Sequence, residues 1–180
     1  DGRRYATGCS SRVTGLIMGG FDSPSFSDMI QKITISSTGN ATDTGGNLSS
    51  SKHFGCGASN GTRGFYAGGN VPSPDTNIIE FVTISNVGNM VDFGDLTLAT
   101  QGRSGMCNSK TRALFMGGSQ SPYPIDLITM STQGNATDFG DVSLSYGSQC
   151  GNAIRGLYGG GNPSTQNVIE YVTLATLGDA

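Results

Sequence analysis

The sequence has no tryptophan, one histidine and little charge: 13% of its 180 residues are Asp, Glu, Lys or Arg. With a single imidazole, a Ser-His-Asp or Cys-His centre would have to be built on His53, and nothing in the sequence positions it; a lone His of this kind is expected at the surface. A redox-copper site of the Tyr-His-Cys kind is short of ligands for the same reason. Ten Lys and Arg against a formal net charge of −3 leave no electrostatic footprint for DNA or RNA. No apolar run approaches the roughly 18 residues of a membrane helix, and Asp1-Gly-Arg-Arg-Tyr5 is not followed by a signal-peptide core. Neither nucleic acid nor membrane insertion is therefore expected. The four cysteines, Cys9, Cys56, Cys107 and Cys150, include no Cys-x-x-Cys pair. They are expected to be small buried core residues, with no metal and no cofactor.

Glycine is abundant instead, at 29 residues, with much Ser, Thr and Asn. Such a composition can mean disorder, because too little apolar surface offsets chain entropy. The order within the glycines argues against it. Gly15-Leu-Ile-Met-Gly-Gly20 returns as Gly64-Phe-Tyr-Ala-Gly-Gly69, Ala113-Leu-Phe-Met-Gly-Gly118 and Gly156-Leu-Tyr-Gly-Gly-Gly161, at intervals of 49, 49 and 43 residues. A second block follows each time: Met29–Ile35, Ile78–Ile84, Ile125–Met130 and Val168–Leu174. A third reads Gly39-Asn-Ala-Thr-Asp43, Gly88-Asn-Met-Val-Asp-Phe-Gly-Asp-Leu96 and Gly134-Asn-Ala-Thr-Asp-Phe-Gly-Asp-Val142, with a fourth copy beginning at Gly178-Asp179-Ala180. Small-residue segments such as Tyr5-Ala-Thr-Gly-Cys9 precede each first block.

Four short segments per copy, β-branched, aromatic or small and punctuated by Gly, Asn, Asp and Pro, predict four strands per unit and no helices. The Gly-Asn pairs stand where a hairpin turn is expected. Along Val168–Leu174 both alternating faces are largely apolar, as for a sheet held between two others. The fold expected is an all-β propeller of four-stranded blades at about 1–47, 48–96, 97–142 and 143–180 in one array. An end blade left without a neighbour would expose apolar side chains, so a longer array, or another copy of the chain completing the ring, is expected.

The apolar run ending in Gly-Gly, followed about a dozen residues later by Phe81 or Tyr171, resembles the kelch repeat over essentially the whole chain. Lys32 and Leu127 replace the aromatic in the other copies, and Phe93, Phe139 and Thr44 stand near the place of the kelch Trp. Thr-Asp-Phe-Gly-Asp is also similar to the aspartate box of sialidase propellers, itself a folding element. More specifically, Gly134–Val142, Thr62–Gly69 and Ile79–Ile84 resemble repeats of structural proteins of marine cyanobacterial phages. That resemblance implies a non-enzymatic tail-fibre or other virion component, with virion proteins or copies of itself as partners. A host-surface glycan is a further possible ligand, and a secreted or cell-surface lectin-like propeller is the alternative.

The carboxylates Asp43, Asp92, Asp95, Asp138 and Asp141 could suggest a glycosidase pair, but they recur from copy to copy, which points to turns. Arg63, Arg112 and Arg155 precede the first block, with Arg12 offset by two. They suit either an anionic ligand or pairing with turn carboxylates and backbone carbonyls. What varies is the loop after each Gly-Gly: 21–27, 70–76, 119–124 and 162–166. Function tends to sit on variable loops carried by a rigid scaffold. Phe21, Phe26 and Tyr123 could stack on sugar rings, and Asp22, Asp75 and Gln120 could bond hydroxyls.

Overall fold

The computed structural model describes residues 2–164 and 166–176, so Gly178, Asp179 and Ala180, and Thr165 in the last variable loop, lie outside the described residues. Each repeat opens with a tight antiparallel hairpin: β1 (Thr7–Ser10) and β2 (Thr14–Met18) in the first copy. Its turn is organised by one side chain. Ser11 Oγ accepts the N–H groups of Val13 and Thr14, and Asn60, Ser109 and Asn152 accept the corresponding pairs in later copies. Short polar side chains favour such turns because they replace a backbone acceptor two or three residues away.

At the end of the second strand comes Gly-Gly. The first glycine has φ of +63°, +65°, +69° and +70° in the four copies, and the second lies between +103° and +124°. A β-carbon is strained at such angles, which is why the dipeptide repeats. The connection carries a two-residue hairpin, β3 (Phe21–Asp22) with β4 (Ser25–Phe26), in the first copy. The chain then returns as β5 (Met29–Thr34) and β6 (Thr42–Asn47), giving the sheet order β1-β2-β5-β6. The second sheet holds β7 (Cys56–Ser59), β8 (Arg63–Ala67), β9 (Ile78–Thr83) and β10 (Val91–Asp95). The third holds β11 (Ser104–Asn108), β12 (Arg112–Met116), β13 (Pro124–Thr129) and β14 (Thr137–Asp141), and the fourth β15 (Ser148–Gly151), β16 (Arg155–Gly159) and β17 (Ile169–Thr173). All neighbours are antiparallel, no helix occurs among the described residues, and the sheets are the four blades of a β-propeller.

Three apolar cores lie between successive blades. Leu16, Met18 and Ile30 of the first meet Tyr66, Val82 and Ile84 of the second. Phe65, Ile79 and Phe93 meet Phe115, Ile128 and Met130. Leu114, Met116 and Phe139 meet Tyr158, Val172 and Leu174. In β10 the pairing register slips between Asp92 and Gly94, and Phe93, at the slip, is 3% exposed. The bulge turns this aromatic into the core. Phe139 is buried at the matching place of β14, whereas Thr44 of the first blade bonds the Ile30 carbonyl instead.

The Gly-Asn pairs are not the turn residues the sequence suggests. The turns close earlier, through Ser37 to Thr34, Asn86 to Thr83 and Thr132 to Thr129. Gly-Asn instead staples blades together: Asn89 Oδ1 accepts the Asn47 N–H and Asn135 Oδ1 accepts the Asp95 N–H, across from one outer strand to the next. Any β-carbon on Gly46 or Gly94 would collide with the backbone of Gly88 or Gly134.

The innermost strands β1, β7, β11 and β15 pack in succession, but among the described residues no packing of comparable extent joins β15 to β1. The expectation that both faces of the 168–174 strand are covered therefore fails for the last blade: Ile169 is 75% and Tyr171 57% exposed. Cys150 is exposed too, in contrast to the expectation for all four thiols, while Cys9, Cys56 and Cys107 are buried and all four are free. Burial pushes the thiols of Cys9 and Cys56 up to about 12 and that of Cys107 up to about 11.

Candidate functional site

The Gly-Gly motifs bring the variable loops to one rim. Each is clipped to the linker ahead of a β1-type strand: Phe21 to Arg4, Asn70 to His53, Ser119 to Gln101 and Asn162 to Ser145. Linker and loop exchange two backbone bonds in the first and second copies and share one in the third and fourth.

Of the residues singled out from the sequence, Phe21, Asp22 and Phe26 sit together on the β3–β4 hairpin, where the two phenyl rings meet edge-on with centroids 5.5 Å apart. Asp75 is held by the loop itself: its Oδ1 accepts from Asn70 Nδ2 at 2.8 Å, and its Oδ2 from Ser119 Oγ at 3.4 Å on the neighbouring blade. Gln120 is exposed beside that contact. Tyr123 turns the other way and packs on the core between the third and fourth blades. The six do not converge on one point. The hairpin trio forms one patch, and Asp75 and Gln120 a second.

His53 is 9% exposed, not the surface residue expected. Its ring lies 4.5 Å from Phe26, 5.8 Å from Phe21, 4.6 Å from Phe54 and 5.9 Å from Tyr5, measured between centroids. Arg4 adds a guanidinium 4.8 Å from the Phe21 ring. A five-ring cluster therefore backs the hairpin. Sequence reasoning missed it because Tyr5, His53 and Phe54 belong to linkers rather than to the variable loops.

On the outer side of the hairpin, a groove of about 390 Å³ is lined by Arg3, Asp22, Phe26, Asp28, Asp43 and Asn47, among other residues. Arg3 anchors its floor, donating to the carbonyls of Gly19 and Met29, to Ser27 Oγ and to Gln31 Oε1. Burial pulls this guanidinium below the usual arginine value, with Asp43 and Asp22 opposing the shift. Three carboxylates, an amide, serine hydroxyls and an aromatic edge suit a neutral, hydroxyl-rich ligand. The opposite rim has a larger hollow of about 570 Å³, lined by Ser11, Arg12, Val13, Thr14, Asn60 and Lys110 among others.

Several other charges are architectural. Lys52 and Glu80 form an ion pair with both side chains at 0–1% exposure, and Arg103 pairs with Asp126 at 2.7 Å, equally buried. Arg63 and Arg112 donate to carbonyls of the following blade, Met130 and Leu174 respectively, as one of the two sequence readings had it. Asp43 and Asp138 each accept the N–H of the glycine two residues on, at the bulge of β6 and β14 rather than in a turn as the sequence suggested. No cluster of three metal-ligating side chains exists among the described residues. Neither a family model nor a curated protein matches the sequence.

Proposed function

We propose that the chain is a non-enzymatic structural or adhesive module, a kelch-like propeller of a phage virion or tail fibre that makes protein–protein or host-surface contacts. The observation that carries this reading is the division of labour in the repeat. Scaffold positions recur from blade to blade, while the loops ledged on one rim differ in every copy, as expected where a rigid frame presents a recognition surface. Among the charged groups that repeat, Arg63 and Arg112 donate to inter-blade carbonyls and Asp43 and Asp138 accept glycine N–H groups of their own strands, and the single imidazole is enclosed by aromatic rings with Nδ1 3.2 Å from the Asn70 carbonyl. Mass spectrometry of purified particles tests the assignment: peptides of this chain at structural stoichiometry are expected, and their absence would overturn it.

A second reading, a secreted or cell-surface carbohydrate-binding propeller, is favoured by the groove beside Phe26. There the aromatic edge stands next to Asp22, Asp28 and Asp43. A glycan array should then show binding that Phe26→Ala and Asp22→Ala each remove. Silence of the array for the unsubstituted protein would dismiss this alternative.

A further inference from the structure

Three inter-blade junctions in this molecule share one steric rule, two polar rules each hold at two of them, and the two end faces hold the unmatched halves of a fourth. The geometry points to an interaction in which the outward face of the fourth blade binds the outward face of the first blade of a second copy of this chain.

The first rule is steric. Cys9, Ala58, Cys107 and Cys150 occupy one register position, opposite Leu16, Phe65, Leu114 and Leu157. Across each junction stands the second residue of the second strand of the next blade. A β-carbon on Gly64 would lie 2.6 Å from Cys9 Sγ, and one on Gly156 would lie 2.8 Å from Cys107 Sγ. At the middle junction, where Ala58 replaces the cysteine, the opposing residue is Ala113, and both belong to the same core. The bulk of the two residues is traded off across each junction: Cys with Gly, Ala with Ala, Cys with Gly. The unmatched members are Cys150, exposed, and Gly15, buried within its own blade, where a β-carbon would first meet Ile33 and Ile35. They are again Cys and Gly.

Two polar rules agree. Arg63 donates across its junction to the Met130 carbonyl and Arg112 to that of Leu174, each to the residue just beyond the third strand of the next blade. Arg155 holds the same place and already stacks on Tyr171, 5.0 Å away, as Arg63 stacks on Phe81 at 4.7 Å. The acceptor equivalent to Met130 on the first blade is Ile35. In the reverse direction Ser59 Oγ donates to the Ser10 carbonyl, and Asn108 Nδ2 to that of Ser59. Ser10 Oγ is the next donor in this series, and Gly151 carries the matching carbonyl. The apolar complement is present as well. Leu157, Ile169 and Tyr171 are 39%, 75% and 57% exposed on one end, and Ile35 is 50% exposed on the other.

Such a contact is head-to-tail, so two copies make a ring of eight blades if the rotation closes and a filament if it does not. It uses the ends of the array and not the rim, so it stands or falls separately from the ligand of the loops and from the assignment to a virion.

Sedimentation of the 180-residue chain should give a mass of two or more copies of 18.5 kDa. Ile169→Asp with Tyr171→Asp should return it to a single copy that still unfolds cooperatively, because both side chains are exposed in the single chain, and whose melting temperature no longer rises with protein concentration. Arg155→Ala should weaken association about tenfold or more. A Gly15→Cys variant, oxidised with diamide, should yield an inter-chain disulfide to Cys150 that disappears in Gly15→Cys with Cys150→Ser. A chain that stays monomeric at all concentrations and forms no such cross-link would overturn the proposal. So would an intact native mass showing that a further blade of the same polypeptide covers Ile169.

Discussion

Replacing Lys52 by Met removes one member of an ion pair that water does not reach. Lys52 is 0% exposed and Glu80 1%. Glu80 Oε2 also accepts the Ser49 N–H at 2.8 Å, and the Lys52 ammonium sits 5.3 Å from the centre of the Tyr66 ring. The methionine fills most of the volume, so the dominant effect is electrostatic: a carboxylate is left buried with one backbone donor in place of a cation. Breaking such a pair from one side costs about 3–5 kcal/mol. For a chain of this length that is a drop of about 6–20 °C in Tm, taking about 2–4 °C per kcal/mol. The double variant Lys52→Met with Glu80→Leu should recover part of the loss, because the stranded charge goes with its partner. The Ser49 N–H then lacks an acceptor, which retains about 1–3 kcal/mol of the deficit. Calorimetry on the four members of the cycle measures the coupling. Because repeat arrays are stabilised by nearest-neighbour junctions, hydrogen exchange should quicken first in β2, β5 and β9 and last in β14. A Lys52→Met variant within about 1 kcal/mol of the parent, or a double variant less stable than Lys52→Met, would refute the reasoning.

Gly68→Val should destabilise by about 1–3 kcal/mol from the left-handed backbone alone, at φ +65° and with a β-carbon 2.9 Å from the Thr100 carbonyl, and a denaturant melt checks it. Native-state alkylation should modify Cys150 alone, the other three thiols reacting only after unfolding, as read by intact mass. Because the folded thiols of Cys9, Cys56 and Cys107 lie above their usual 9.0, the fold keeps its full stability below about pH 9. It then loses up to about 1.4 kcal/mol per thiol for each pH unit above that, as the unfolded chain ionises first; a pH series of denaturant melts should show the decline. Gly64→Ala should destabilise by crowding Cys9, and Cys9→Ala in the same chain should restore the loss, because the Ala58 and Ala113 positions already use that combination.

The strand plan was legible because two devices recur with little change. The Gly-Gly bend needs a backbone that only glycine adopts without strain, so it survives in all four copies and marks the end of each second strand. The block after it holds apolar residues on both faces, which told of a sheet between sheets. The Gly-Asn pairs misled for a physical reason. Asn and Gly favour turns, but they also suit a place where two backbones nearly touch and an amide must bridge them, and composition alone does not separate the two. Only the register across blades does, through Asn89 to Asn47 and Asn135 to Asp95.

The rim was partly legible and its electrostatic frame was not. Phe21, Asp22 and Phe26 were visible as a variable loop, yet the cluster behind them draws Tyr5, His53 and Phe54 from linkers distant in sequence. The buried cations are harder still, because equivalent places in space are filled from non-equivalent places in the repeat. Arg3 and Lys52 stand two residues before the left-handed residues Tyr5 and Phe54, whereas Arg103 stands one residue after Gly102. Long side chains allow this: a guanidinium or ammonium several bonds from its backbone can reach the same carboxylate position, Gln31, Glu80 or Asp126, from either side of a tight turn. The acceptor is pinned by strand register, so it repeats with the period. The donor is constrained only at its tip, and its position drifts. In the fourth blade no cation pairs with the equivalent Glu170 among the described residues; it keeps the Ser143 N–H, as Glu80 keeps that of Ser49 and Asp126 that of Thr97, and is only half-buried. The pairs therefore follow what the preceding linker supplies rather than the openness of a blade face: Glu170 lies on the face of its sheet that carries Tyr158 into the core with the third blade, yet it has no cation of its own among the described residues, whereas Gln31 on the outward face of the first blade is met by Arg3.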